Sequence, residues 1–440
     1  MFLRGSYVLL AVVLWFAAGQ SAAENASTED ALDISVDELL NLSGDDLQNT
    51  SLEDLQTFDP AMQQNLGEMY ANGLGVEQDL AEALRWYTLA AEQGVLGAQI
   101  RVGEMHRDGI GTEQNAAVAF EWFMKAADQG NANAQFAVGD MLSKGEAVPA
   151  DPAQAVEWFR LAAAQGLVNA MNELAIAYIN GTGVGQDINE AIYWYTQSAE
   201  GGFVWAQYEL GRLYNTGATG LAPDHAKALS WFKLAADTGN VLAQHETGRM
   251  MANGEGTDVD LDGAESYYAL AGSEGYVWSQ YELGILLVKQ GDEGALRAAD
   301  WFRMAAEQGN ALAQYELGVL YARGKGVEPD GVEAIKWLSQ AGNAGNAWAQ
   351  YEHALLLENG TLIERDFKGA ASLYAAAALQ GNGYALFELA GMTANGHGVK
   401  KDPALAIELY KQATKLGVTL AVQEIYNLCN QPEAPDGCKT

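Results

Sequence analysis

The chain has 440 residues, and 58 acidic against 24 basic side chains give it a formal charge of −34. A surface this negative repels phosphate backbones and anionic headgroups, which argues against nucleic acid and anionic membranes as partners and leaves basic or apolar protein segments, neutral glycans and cations. With 49% hydrophobic residues the chain can bury a sizeable core, and its length would suggest two or three globular domains if no repeat organised it.

The N-terminus carries Arg4, an apolar run of 12 residues from Tyr7 to Ala18, and the small residues Ser21, Ala22 and Ala23. This pattern reads as a cleavable secretory signal over 1–23, because the run is well short of the roughly 20 residues a spanning helix needs. No cysteine lies near the cleavage point, so a lipoprotein anchor is not expected, and the mature chain should start near Glu24 in the periplasm or outside the cell, with no membrane insertion. Residues 24–59 are acidic and rich in Ser, Thr and Asn. They read as partly disordered, with Ser35 and Glu38 spaced as a capping box for one short helix.

From Ala61 to Gly417 one pattern returns ten times. Its bulky position falls at Trp86, Trp122, Trp158, Trp194, Trp231, Tyr267, Trp301, Trp337, Leu373 and Leu409, spaced by 36 residues with one step of 37 and one of 34. A unit of that length cannot bury its own apolar face and must share a core with its neighbours, which makes a solenoid. Each unit shows two helical stripes: Ala206, Leu210, Leu213 and Tyr214 on a first helix, and Ala228, Trp231, Phe232 and Ala235 on a second. Glycine pairs such as Gly73/Gly75 and Gly324/Gly326 separate them, ending the first helix and turning the loop. Acidic residues such as Asp79, Asp187, Asp330 and Asp402 then start the second, where the helix dipole favours them. These glycines follow helices rather than strands, so a phosphate loop is not indicated. The bulky position reads as core.

The segments LGEMYANGLGVEQDLAEALRWYTLAAEQG and LGVLYARGKGVEPDGVEAIKWLSQAGNAG resemble the Sel-one-like repeat, a relative of the tetratricopeptide repeat, over roughly 61–417. The resemblance implies an all-α fold, a right-handed superhelical solenoid of about ten antiparallel helix pairs over 60–417. It further implies adaptor or scaffold roles in secretion, envelope regulation, motility, polysaccharide production or host contact, without one activity. Some secreted relatives carry a disulfide in every repeat, and this chain lacks those cysteines. Residues 418–440 read as a capping helix and tail, where Cys429 and Cys438 can pair in an oxidising compartment.

A second register, offset from the core stripe, stands out in the C-terminal half. Trp205, Trp278 and Trp348 precede the Ala/Ser-Gln of the first helix in units five, seven and nine, followed by Tyr208/Glu209, Tyr281/Glu282 and Tyr351/Glu352. Units six, eight and ten place Leu242 with His245/Glu246, Leu312 with Tyr315/Glu316, and Tyr384 with Phe387/Glu388. Units one to four have Ala61, Gly97, Asn133 and Asn169 at the leading position. Residues at i, i+3 and i+4 share a helix face, so the register reads as an aromatic and carboxylate-lined groove for a partner; packing between repeats is the competing reading.

Nothing in the sequence assembles chemistry. His106, His225, His245, His353 and His397 lack metal-ligand spacing. Asp258, Asp260 and Asp262 begin like a calcium loop, but Ala269 stands where a bidentate Glu is required. No nucleophile, base and oxyanion set is visible, and neither a catalytic residue nor a cofactor is expected. The reading is therefore a non-enzymatic periplasmic or secreted scaffold holding a basic or hydrophobic protein segment on its concave surface, with possible settings in envelope or exopolysaccharide regulation. The alternative is a glycan-binding module that uses Trp205, Trp278 and Trp348 as stacking platforms.

Overall fold

The structure, a computed structural model, describes residues 59–430 and Cys438. The expected signal at 1–23 and nearly all of the acidic segment at 24–59 lie outside the described residues. The described chain is all-α. In order it forms α1 (Pro60–Asn72), α2 (Leu80–Glu92), α3 (Leu96–Asp108), α4 (Ala116–Asp128), α5 (Ala132–Lys144), α6 (Pro152–Ala164), α7 (Val168–Asn180) and α8 (Ile188–Glu200). It continues through α9 (Val204–Thr216), α10 (His225–Asp237), α11 (Val241–Asn253), α12 (Leu261–Ser273), α13 (Val277–Val288), α14 (Asp292–Glu307), α15 (Ala311–Arg323) and α16 (Gly331–Asn343). The last elements are α17 (Ala347–Asn359), α18 (Phe367–Leu379), α19 (Gly383–Asn395), α20 (Pro403–Lys415) and α21 (Leu420–Cys429). Odd-numbered helices up to α19 are the first helices of ten units, and α21 sits where the first helix of an eleventh would begin. Cys429 at its end is disulfide-bonded to Cys438. The chain divides into two compact units, Met1–Ala206 and Gln207–Thr440.

Local sequence sets each helix boundary. Except for α14, which opens on Gly291, second helices open on an acidic or amide cap: Asp79 Oδ1 accepts from the backbone N–H groups of Ala81 and Glu82 at 3.0 Å, a contact worth about 1 kcal/mol. First helices other than α13, which is capped by Lys289, close on a left-handed glycine, as Gly73 does at φ 68°. The second glycine of the pair has a different reason. A Cβ on Gly111 would lie 2.3 Å from the carbonyl oxygen of Leu80, so the loop presses on the start of the preceding unit's second helix.

The deepest core differs from the sequence expectation. In the bulky pair it is the second member that is buried in every unit: Tyr87, Phe123, Phe159, Tyr195, Phe232, Tyr268, Phe302, Leu338, Tyr374 and Tyr410. Of the first members only Trp86, Trp122 and Trp337 are buried, and the others, Trp194 included, are half-buried. Adjacent helical residues point about 100° apart, so the two rings cannot share one environment. The second ring packs on the first helix of its own unit, where the repeated glycine leaves room: a Cβ on Gly103 would sit 2.7 Å from the Phe123 ring. The first ring lies between successive second helices, as Trp301 lies against Gly272.

Buried glutamines tie consecutive units together. Gln280, on α13, donates from Nε2 to the carbonyl of Gly272 at 2.9 Å and accepts at Oε1 from Gln308 at 2.8 Å. The same side-chain pair recurs as Gln93 to Gln63, Gln129 to Gln99, Gln165 to Gln135 and Gln380 to Gln350. Thus the first-helix glutamine donates to the end of the preceding unit's second helix and accepts from the end of its own, so one side chain joins three helices.

Candidate functional site

The second register resolves into an exposed edge and a half-buried row behind it. Trp278, Leu312, Trp348 and Tyr384 are each the second residue of a first helix (α13, α15, α17 and α19), and they are 50%, 42%, 48% and 48% exposed. Leu242 on α11 is half-buried, and Leu420 opens α21 at the same register position with 64% exposure. Two consecutive members touch: the Trp348 and Tyr384 ring centroids are 5.8 Å apart. Trp205, 43% exposed, has the same position in Met1–Ala206. Leu420 was not among the sequence candidates; its signal was Ala421 and Glu424, spaced like Ala385 and Glu388.

Three residues on, the side chains turn inward onto the deep core rings. Tyr208 meets Phe232 at 5.7 Å, His245 meets Tyr268 at 5.7 Å, Tyr281 meets Phe302 at 6.1 Å, Tyr351 meets Tyr374 at 5.8 Å and Phe387 meets Tyr410 at 5.3 Å between centroids. Tyr315 packs on the cluster of Val319, Ala334 and Leu338. These residues are half-buried, and their rings join the outer edge to the core. His245 is held further: its Nδ1 lies 2.9 Å from Ser279 Oγ on α13, its ring packs edge-on to Tyr276, and burial holds its pKa below the usual value.

The carboxylates divide by partner. Glu209 and Glu246 pair with Arg212 and Arg249 at 2.9 Å, and Glu352, the most buried of the row, accepts from Arg323 of the preceding unit at 2.8 Å. Glu282, Glu316 and Glu388 have pKa values raised by burial. Nearby Lys289 and Arg323 partly counter this for the first two, whereas Glu358 adds to it at Glu388. The row is spatially continuous across units. The Tyr281 phenol senses Glu316 and Glu282, that of Tyr315 senses Glu352 and Glu316, and that of Tyr351, pushed up to about 12 chiefly by burial, senses Glu388 and Glu352. The arrangement offers apolar contact at the edge and dehydrated negative charge behind it. It provides no nucleophile with an attached base. Among the described residues, no group of three or more His, Cys, Asp and Glu side chains is placed to hold a metal ion, and no helix is long and apolar enough to cross a membrane.

Comparison with known proteins places this geometry. The Sel1 repeat model matches ten consecutive segments, 60–95, 97–131, 132–167, 168–203, 206–240, 241–276, 279–310, 311–346, 349–382 and 383–418. Among solved structures, a protective antigen of uropathogenic Escherichia coli strains that displays an SLR fold is 33% identical, with a TM-score of 0.74 over 87% of this chain and 83% of that one. A Sel1 repeat protein from Oxalobacter formigenes is also 33% identical, covering 51% of this chain and 91% of its own with a TM-score of 0.44. A search of curated proteins finds no match.

Proposed function

The chain belongs to the Sel1 repeat family, and from that premise we propose that it is an exported, non-enzymatic scaffold that holds a protein segment along the first-helix edge of Gln207–Thr440. The observation that carries this reading is the row Trp278, Leu312, Trp348 and Tyr384: large apolar side chains left 42–50% exposed in successive units, at a position where units one to four have Ala, Gly or Asn. Core packing does not require a bulky residue there, since four units pack without one. A row of exposed apolar residues is the mark of a partner surface. The half-buried carboxylates Glu282, Glu316 and Glu388 behind it favour a partner carrying Lys or Arg between its apolar anchors, because a cation docked there would relieve charges held in a poorly hydrated row.

Each unit contributes a weak contact, so affinity accumulates along the row. The test is binding by the mature chain with Trp278, Trp348 and Tyr384 changed to Ser, compared with wild type and with a fragment ending near Gly202. The proposal expects loss in the triple variant and none of the binding in the fragment; full affinity in the fragment refutes it. Export rests on Arg4, the apolar run and Ser21-Ala22-Ala23, and expects a mature N-terminus at or near Glu24 by mass spectrometry. Glycan binding is the second reading, favoured by the half-exposed Trp278 and Trp348 rings, which suit stacking on a sugar face; saturable binding on a glycan array that the same three substitutions abolish would select it.

A further inference from the structure

The end of unit nine and unit ten depart from the repeat in a concerted way, and the departures line one groove. An open apolar groove of about 500 Å³ lies between α18, α19 and α20, with Leu386, Leu409 and Leu416 in its wall. Each of these three stands where most other units have a different chemistry. Leu386 and Leu416 replace the paired glutamines, such as Gln350 and Gln380, that join the first helix of a unit to the end of its second helix. Leu409 replaces the Trp or Tyr that fills the space between second helices in units one to eight. Trp301 shows what that ring does: it lies against Gly272 and beside Gln280, and the matching places in unit ten's surroundings are Ala378 and Leu386, both in the groove wall. The fourth departure is Leu379. It is 91% exposed at the groove's edge, at a helix end where every other unit has Glu, Asp, Asn, Ser, Lys or Ala.

The wall is aliphatic except at one end, where Gln412 and Lys415 stand. Lys415 forms no ion pair among the described residues. The stretch from Phe367 to Leu416 holds five lysines against three acids, in a chain whose net charge is −34. A groove of this volume falls in the size range of small-molecule sites. It offers no row of backbone donors and acceptors, so an extended peptide would lose its hydrogen bonds on entering, whereas an alkyl chain has none to lose. We propose that the groove binds the alkyl chain of an anionic amphiphile, with the acidic head group on Lys415. This site is separate from the first-helix edge, and its success or failure leaves the scaffold reading unchanged.

The test is calorimetric titration of the mature chain with sodium decanoate and with 1-decanol, below their aggregation limits, alongside sedimentation with phosphatidylglycerol vesicles and measurement of oligomeric state. Leu409→Trp restores the ring that the other units carry, beside an alanine as Trp122 is beside Ala91, so it should fold with an unchanged or higher melting temperature. One saturable decanoate site, lost in Leu409→Trp and weakened in Leu379→Glu, is the expected result. Lys415→Gln should weaken decanoate roughly two- to fivefold, the worth of an exposed ion pair, and leave 1-decanol binding unchanged. Vesicle binding that Leu409→Trp abolishes would assign the chain to a lipid; decanoate binding without vesicle binding would assign it to a free acid. No binding of either probe, binding undiminished by Leu409→Trp, or a dimer that Leu409→Trp dissolves would overturn the proposal, the last by showing a second copy in the groove.

Discussion

The separation of the two registers can be measured by truncating Phe302 and Trp278. Phe302 is fully buried, with the α13 backbone at Gly284 pressed against its ring, where a Cβ would come within 2.4 Å. A buried Phe removes on the order of 150–250 Å² from water, which at about 25 cal/mol per Å² is roughly 4–6 kcal/mol. Part of that area survives as the Ala methyl while a cavity is added, so Phe302→Ala should cost about 3–5 kcal/mol. Trp278 leaves half of its surface in water and its removal opens no enclosed cavity, so Trp278→Ala should cost about 1 kcal/mol or less. Urea denaturation followed by far-UV circular dichroism reads both as shifts in midpoint. Because solenoid units couple to nearest neighbours, a new early phase in the Phe302→Ala transition counts as the same loss. Equal destabilisation by the two substitutions would refute the reasoning and make the outer edge ordinary core.

Gln280→Leu leaves Gln308 without its acceptor and the Gly272 carbonyl without its donor, and should cost about 1–3 kcal/mol; adding Gln308→Leu should recover part of it, as the Leu386/Leu416 pair of unit ten suggests, and strict additivity in the denaturation cycle would contradict the ladder. Glu388 has its folded pKa raised by burial and by Glu358, so its favourable contribution is present below the unfolded value and lost as pH rises through the folded one. Glu388→Gln should therefore raise the melting temperature at pH 7 and make little difference at pH 4; a loss at pH 7 would show that the carboxylate is stabilised by a partner within the fold.

Much of the fold was legible because the repeat states it many times over. The glycine pairs, the Asp and Asn caps and the alanines at helix contacts recur in fixed order, so helix positions follow from local chemistry. What the period could not show was which ring of Trp-Tyr or Trp-Phe lies deepest, because both are apolar and both recur. The missing signal lay on the other helix: the glycine that follows Val102 or Leu283, seen at Gly103 and Gly284, makes room for the second ring alone. The glutamine ladder was also written in the sequence, as residues about 30 apart that are lost together at Met171 with Gly201 and at Leu386 with Leu416. The candidate site was legible as a register, but its division was not. Tyr281 and Trp278 share a helix face, and only the position of Phe302 decides that one turns inward while the other stays in water.

The central claim is that the first-helix edge of Gln207–Thr440 is the partner surface. Site-specific photocrosslinking tests it most directly, with the crosslinker placed singly at Leu312 and Tyr384 on the edge and, as exposed controls on second helices, at Leu234 and Leu270, in cells that produce the protein. Discrete protein adducts from Leu312 and Tyr384, absent from the controls and competed by excess mature wild-type protein, are the expected result. Adducts from Leu234 and Leu270 with none from the edge would contradict it.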